Sequence, residues 1–281
     1  MKKPTQIAIS AAIVTVGVAL AAYPFISNYL YEHNQQKAIS GYESQMKSEP
    51  SGTLDHIWEE AQEYNHSLNA SDVLLTDPFD PEAFAGENNR LYEETLNFSD
   101  DGLMGYLEIP VLDLNLGIYH GTGSQSLEKG VGHLENSSLP VGGEGTHAVL
   151  SAHTGLPGKK LFTDLELMEV GDVFYIHILT ETLAYQVDQI KVVRPENTRD
   201  LQKESGEDYV TLVTCTPYGV NSHRLLVRGV RVPYEPSENT GQVKTGSHWI
   251  RQYLKGILTG VLILIVLEIL YYLRRRRRGR R

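Results

Sequence analysis

The chain has 281 residues, 41% of them hydrophobic and 21% charged, with a formal net charge of −10. That usage excludes a disordered or collagen-like chain, and the acidity argues against a nucleic-acid binder. The charge is unevenly placed: residues 28–255 hold 34 of the 35 acidic residues but 16 of the 25 basic ones. The remaining bases sit at the two ends, so an acidic middle lies between two basic termini.

Residues 1–6 form a short basic start, and Ile7 to Ile26 then run without a charge. About 20 residues make a helix of about 30 Å, enough to cross a hydrocarbon core. Residues 7–27 are therefore expected to be a transmembrane anchor. Because Ala19-Leu20-Ala21 resembles a signal-peptidase site, cleavage of the segment is the alternative. Residues 28–70 begin as a polar stalk, helical or irregular. Between Ser51 and Leu68, the residues Leu54, Ile57, Trp58, Ala61, Tyr64 and Leu68 place one apolar stripe on a helix. Residues 71–94, with Pro78 and Pro81, lack periodicity and read as a lid or linker.

From residue 95 to 235 the pattern changes to short apolar runs broken by Gly, Pro, Asn and Asp. Strands are predicted at Gly105–Ile109, Leu114–Tyr119, Gly130–Leu134 and His147–Ala152. Four more are predicted at Asp172–Leu179, Leu183–Val193, Tyr209–Cys215 and Leu225–Val232. Only short helices fit between them, near Leu127 and Leu161–Leu167, so the fold class is mainly β, a closed or nearly closed eight-stranded barrel. A linker follows at 236–255. Residues 256–273 are a second apolar run, predicted to span a membrane, and 274–281 are its basic tail. Glu268 lies near the cytoplasmic end of that run and is expected to snorkel towards the arginines. Both basic ends prefer the cytoplasm, which places the acidic middle on the extracellular face of a cell membrane.

Cys215 is the only cysteine. An exported chain with one thiol makes no internal disulfide, so Cys215 is either inert or reactive. It ends a strand-like run that Thr216-Pro217-Tyr218-Gly219 breaks, and strand ends are where functional groups gather. With reference pKa values near 8.5 for Cys and 6.5 for His, only about 3% of a thiol is thiolate at pH 7. The thiol therefore needs a nearby base or cation. Spacing alone does not choose among ten histidines. His153 ends its own strand-like run, and His223 is close to Cys215 in sequence but sits on the loop side of Arg224.

Residues 211–229, TLVTCTPYGVNSHRLLVRG, resemble the signature of the sortases, and of their class C, pilin-polymerising branch. The segment Ala148-Val-Leu-Ser-Ala-His-Thr-Gly-Leu-Pro resembles the family's histidine segment. The resemblance implies an eight-stranded sortase barrel, with Cys215 as nucleophile, His153 as general acid and Arg224 as the guanidinium that orients substrate and steadies the oxyanion. It gives His223 no catalytic role. It implies a cysteine transpeptidase that cleaves a Leu-Pro-x-Thr-Gly-like sorting signal between Thr and Gly and joins it to a pilin lysine. The implied partners are pilin subunits, with no metal or organic cofactor. Asp77-Pro78-Phe79 is similar to the class C lid motif, in which the carboxylate meets the catalytic arginine and the ring covers the cysteine. Ser222 and Thr154 depart from the commoner Thr and Arg, and Phe79 from the commoner Trp.

Three other readings compete. A sortase of another class would attach proteins to peptidoglycan, and a papain-like hydrolase would favour water as acceptor. A bitopic surface scaffold would carry Cys215 only as a structural residue.

Overall fold

The computed structural model describes residues 3–69, 75–80, 89–98, 101–156, 158–235 and 254–260. The expected linker up to residue 253, most of the second apolar run and the basic tail lie outside them. The chain divides into two compact units, Ser27–Thr245 and a second made of Met1–Ile26 with Gly246–Arg281. Among the described residues no helix is long and apolar enough to cross a membrane. Within the second unit, residues 254–260 are helical.

The barrel is built from eight strands: β1 (Leu103–Ile109), β2 (Leu114–His120), β3 (Val131–His133), β4 (Thr146–Ser151), β5 (Val173–Ile178), β6 (Glu181–Val193), β7 (Asp208–Thr216) and β8 (His223–Val232). They close in the order β1-β2-β3-β4-β7-β8-β6-β5. Two neighbours run parallel, β2 with β3 and β4 with β7, and the other pairs are antiparallel. β5 alternates between half-buried and buried residues, the two-residue period of a strand with one face on a core. β4 is buried along its whole length, as its central place between β3 and β7 demands. At Gly105 the β1/β2 register shifts, and a Cβ there would overlap the His177 carbonyl oxygen, so the close approach of β5 requires glycine.

Helix α1 (Lys3–Ser48) continues through the expected stalk, and its part from Ser27 onward docks on the barrel. The buried Tyr42 hydroxyl donates to the Met104 carbonyl at 2.9 Å and accepts from Leu179 N at 2.7 Å. Helix α2 (Ser51–Asn69) buries the expected stripe, with Leu54, Ala61, Tyr64 and Leu68 in the core and Ile57 and Trp58 against it. Asn65 fixes its register through two hydrogen bonds to the Leu139 backbone, at 3.1 and 2.7 Å. Helix α3 (Arg90–Glu94) falls in the stretch that lacked periodicity, because five residues are too few to display any. Its buried Tyr92 carries the helix onto the barrel. Helix α4 (Ser124–Lys129) links β2 to β3.

Candidate active site

The parallel pair β4/β7 sets one side of the site. Its register runs to Ser151 opposite Val213. One residue further on, Ala152 N donates to the Val213 carbonyl at 3.2 Å, and Thr214 Oγ1 donates to the Ala152 carbonyl at 2.7 Å. These bonds hold the two strand ends level, so His153 follows Ala152 where Cys215 follows Thr214. Arg224 comes from the other side, since it is the antiparallel partner of Cys215 across β7/β8. Directly opposed residues point to the same face, with Cβ atoms about 4.5–5.5 Å apart. Two distant stretches, the one that ends in His153 and the hairpin of Cys215 and Arg224, are thus brought to one end of the barrel because three neighbouring strands end or begin at one level. His223, paired with Thr216, alternates to the opposite face from Arg224, and its Nδ1 faces Ser222 Oγ at 2.9 Å.

The segment Leu75–Asp80 lies over this end of the barrel. Leu75 is buried in a cluster with Leu134, Val149, Leu201, Val213 and Leu226, and Pro78 is also buried. Asp80 N donates to the Asp77 carbonyl at 3.1 Å, and Phe79 N to Asp77 Oδ1 at 3.4 Å, a turn that Asp-Pro favours. The Asp77 carboxylate accepts two hydrogen bonds from Arg224, Nε to Oδ1 at 2.8 Å and Nη2 to Oδ2 at 2.5 Å. Both side chains are only 11% exposed. The Phe79 ring stands 5.7 Å from the His153 ring and 5.1 Å from the Arg224 guanidinium. The ring thus meets the histidine and the arginine, and Phe79 also packs against the apolar cluster around Leu75.

The electrostatics follow from this cover. Burial pushes the Cys215 thiol above its ordinary pKa; Arg224 pulls it back, and Asp77 pushes it further up. Burial also holds His153 below its ordinary value, with Glu128 raising it and Lys159 lowering it. Both shifts favour a neutral thiol beside a neutral imidazole, a resting pair. Burial disfavours the Arg224 charge more than any single partner favours it, but the hydrogen bonds to Asp77 and the charges of Cys215, Asp77 and Glu196 together outweigh it, and the pKa rises. An arginine held as a cation beside the thiol suits acyl transfer, where negative charge develops on a carbonyl oxygen.

Several contributors gave no local signal in the sequence. Glu128 lies on α4 and Lys159 in the loop after His153, and each matters only because the fold brings its charge near that ring. Gly155, at φ +74°, lets the Tyr218 ring approach the loop after His153, where a Cβ would stand 3.2 Å from it. Among the described residues no group of three His, Cys, Asp or Glu side chains is arranged to hold a metal ion.

The Sortase domain family model matches residues 107–232. Sortase C-1 from Streptococcus pneumoniae is 46% identical, with a TM-score of 0.64, over 71% of this chain and 100% of that one. A second structure, sortase C1 of GBS Pilus Island 1, is 43% identical, with a TM-score of 0.65, over 75% of this chain and 98% of that one. Among curated proteins, sortase A of Streptococcus agalactiae is 32% identical over 151 residues, 53% of this chain and 58% of that protein. The chain thus spans less than two thirds of that curated relative.

Proposed function

Since the chain belongs to the sortase family of cysteine transpeptidases, with class C sortases as its structural neighbours, we propose that it polymerises pilin subunits through a thioester on Cys215. The observation that carries this reading is the cross-strand pair of Cys215 and Arg224 under a lid whose Asp77 occupies the guanidinium. Once the lid has moved, Arg224 is free to bind the sorting signal. Cys215 then passes its proton to His153, and the thiolate attacks the Thr carbonyl carbon of a Leu-Pro-x-Thr-Gly-like peptide while the guanidinium steadies the oxyanion. As the Thr–Gly bond breaks, His153 gives its proton to the leaving glycine amine. A pilin lysine amine attacks the thioester and passes a proton to His153, leaving an isopeptide bond and restoring the thiolate. The family member above that belongs to a pilus island supports this choice of substrate.

The same reading includes a membrane. The apolar runs at 7–27, without a charge, and 256–273, charged only at Glu268, each next to a basic end, support anchoring with the barrel on the extracellular face. Alkaline carbonate extraction of membranes is expected to leave the chain in the pellet.

The test is the intact mass of the full chain after incubation with a Leu-Pro-x-Thr-Gly peptide. An acyl adduct on the wild type, larger in Asp77→Ala and absent in Cys215→Ala, is the expected result. Absence of adduct from all three overturns it. Attachment of cargo to peptidoglycan without polymer would replace pilin joining by wall anchoring.

A further inference from the structure

His153 heads a loop whose fixings converge on α1. Lys160 N donates to Asn28 Oδ1 at 2.9 Å, and Asn28 Nδ2 is tied to Glu32 Oε1, one turn along the helix, at 2.9 Å. Gly158 takes φ +78°, and a Cβ there would overlap the Ser27 side chain, so loop backbone and helix are in close contact. Lys159 Nζ lies 5.6 Å from the centre of the Tyr31 ring and donates to the Glu128 carbonyl at 2.6 Å. Tyr31 itself donates to the next carbonyl, Lys129 O, at 2.9 Å. Gln35 completes the stripe, donating to that same carbonyl at 2.5 Å and accepting from Gly117 N at 2.9 Å. At the far end, the Phe162 N–H donates to the His153 carbonyl at 3.1 Å.

Asn28, Tyr31 and Gln35 are three and four residues apart, which puts them on one face of α1. A helix that only needed burial would dock through leucines. A polar stripe bonded to backbone groups fixes register as well, since each bond is directional and a slip leaves a carbonyl unpaired. The charged groups that act on His153 are Glu128 of α4 and Lys159 of its own loop. From the lid it meets the uncharged Phe79 ring, which Arg224 also touches, and Cys215 ends the neighbouring strand.

Resting on the transpeptidase reading above, we propose that Asn28 and Tyr31 are positioning residues for His153, acting through Lys160 and Lys159 of the loop that follows it. Asn28 holds the loop backbone, and Tyr31 holds the Lys159 ammonium at its distance from the imidazole. When either is lost, Lys159 swings out, and His153 loses both its placement and the neighbouring positive charge.

The experiment uses the full chain in detergent micelles. Asn28→Ala and Tyr31→Ala are each expected to lower kcat/KM for thioester formation about tenfold, since small misplacements of catalytic groups are costly. His153 is expected to titrate about half a unit higher in both, read from its ring proton resonance and from the acid limb of the pH profile. The shift from Tyr31→Ala is expected to vanish when Lys159→Met is already present, whereas Leu30→Ala, at an exposed position, leaves both readouts unchanged. Variants that melt earlier but keep the wild-type His153 titration overturn the proposal, as does a Tyr31→Ala shift undiminished by Lys159→Met. Failure of wild type to form any thioester would count against the transpeptidase reading, while the ring titration still decides this one.

Discussion

Asp77 and Arg224 form a two-pronged ion pair between residues 147 positions apart, and the arginine in it is the one paired with Cys215 across the sheet. The segment that carries Asp77 therefore acts on the thiol through its charge partner. It occupies the cation that would otherwise stabilise the thiolate, and its carboxylate adds repulsion. Asp77→Ala is expected to lower the Cys215 pKa and to speed alkylation about three- to tenfold at pH 7, since one unit of pKa is a tenfold change in thiolate at that pH. The time course of reaction with iodoacetamide measures it. An alkylation rate equal to wild type would mean that the lid is not the brake.

Arg224→Ala opens the same lid but removes the cation. Its thiol is expected to react more slowly than that of Asp77→Ala, because the charge that lowers its pKa is gone. Thioester formation is expected to fall by about 10² to 10³, the cost of losing an oxyanion partner. Comparing alkylation and peptide turnover in the two variants separates access from chemistry.

Two buried histidines away from the site make the barrel sensitive to acid. His133 and His147 are held down to about 4, in each case first by burial. His133 is neutral in the network: Nε2 faces the Ser138 carbonyl at 2.8 Å, and Nδ1 faces the Tyr92 hydroxyl at 2.9 Å. His147 lies between the Gln202 carbonyl at 2.9 Å and Thr211 Oγ1 at 2.7 Å. Their folded pKa values lie below the unfolded value, so the unfolded chain binds more protons between about pH 6.5 and 4. Stability is thus present above pH 6.5 and lost as pH falls towards 4. At pH 5 the pair is expected to cost about 4 kcal/mol, and His147→Asn to remove about half of that slope. Urea denaturation at pH 7.5 and 5 checks it.

Tyr42→Phe tests the docking of α1. The change keeps the ring and deletes the hydroxyl, leaving Leu179 N and the Met104 carbonyl without their partner. A loss of about 2–3 kcal/mol is expected, because buried backbone groups left unpaired are costly. A variant within 0.5 kcal/mol of wild type, roughly the range of a surface change, would mean that water replaces the hydroxyl.

The strands were legible because each announces itself locally, by apolar runs of the right length between Gly, Pro, Asn and Asp. All eight predicted strands lie within a few residues of the observed ones. The helix at Ser51–Asn69 was legible for the same reason, since its stripe repeats over five turns. The docking of residues 28–48 was not, because the face that meets the barrel is polar: Asn28, Tyr31 and Gln35 read as a solvated stalk until their backbone partners are known. At the site, Cys215 and Arg224 lie in one hairpin and share a local motif. Glu128 and Lys159 influence His153 only through space, and no spacing rule connects them.

In the proposed mechanism Arg224 serves both tasks, and that restricts how this protein can change. A substitution that abolishes the lock from the arginine side also abolishes the oxyanion partner, so constitutive activity is not reachable there. Only the Asp77 side can be altered without touching the chemistry. Heritable adjustment of how readily the enzyme wakes should therefore accumulate in the segment before the barrel, while the hairpin that carries the thiol stays fixed.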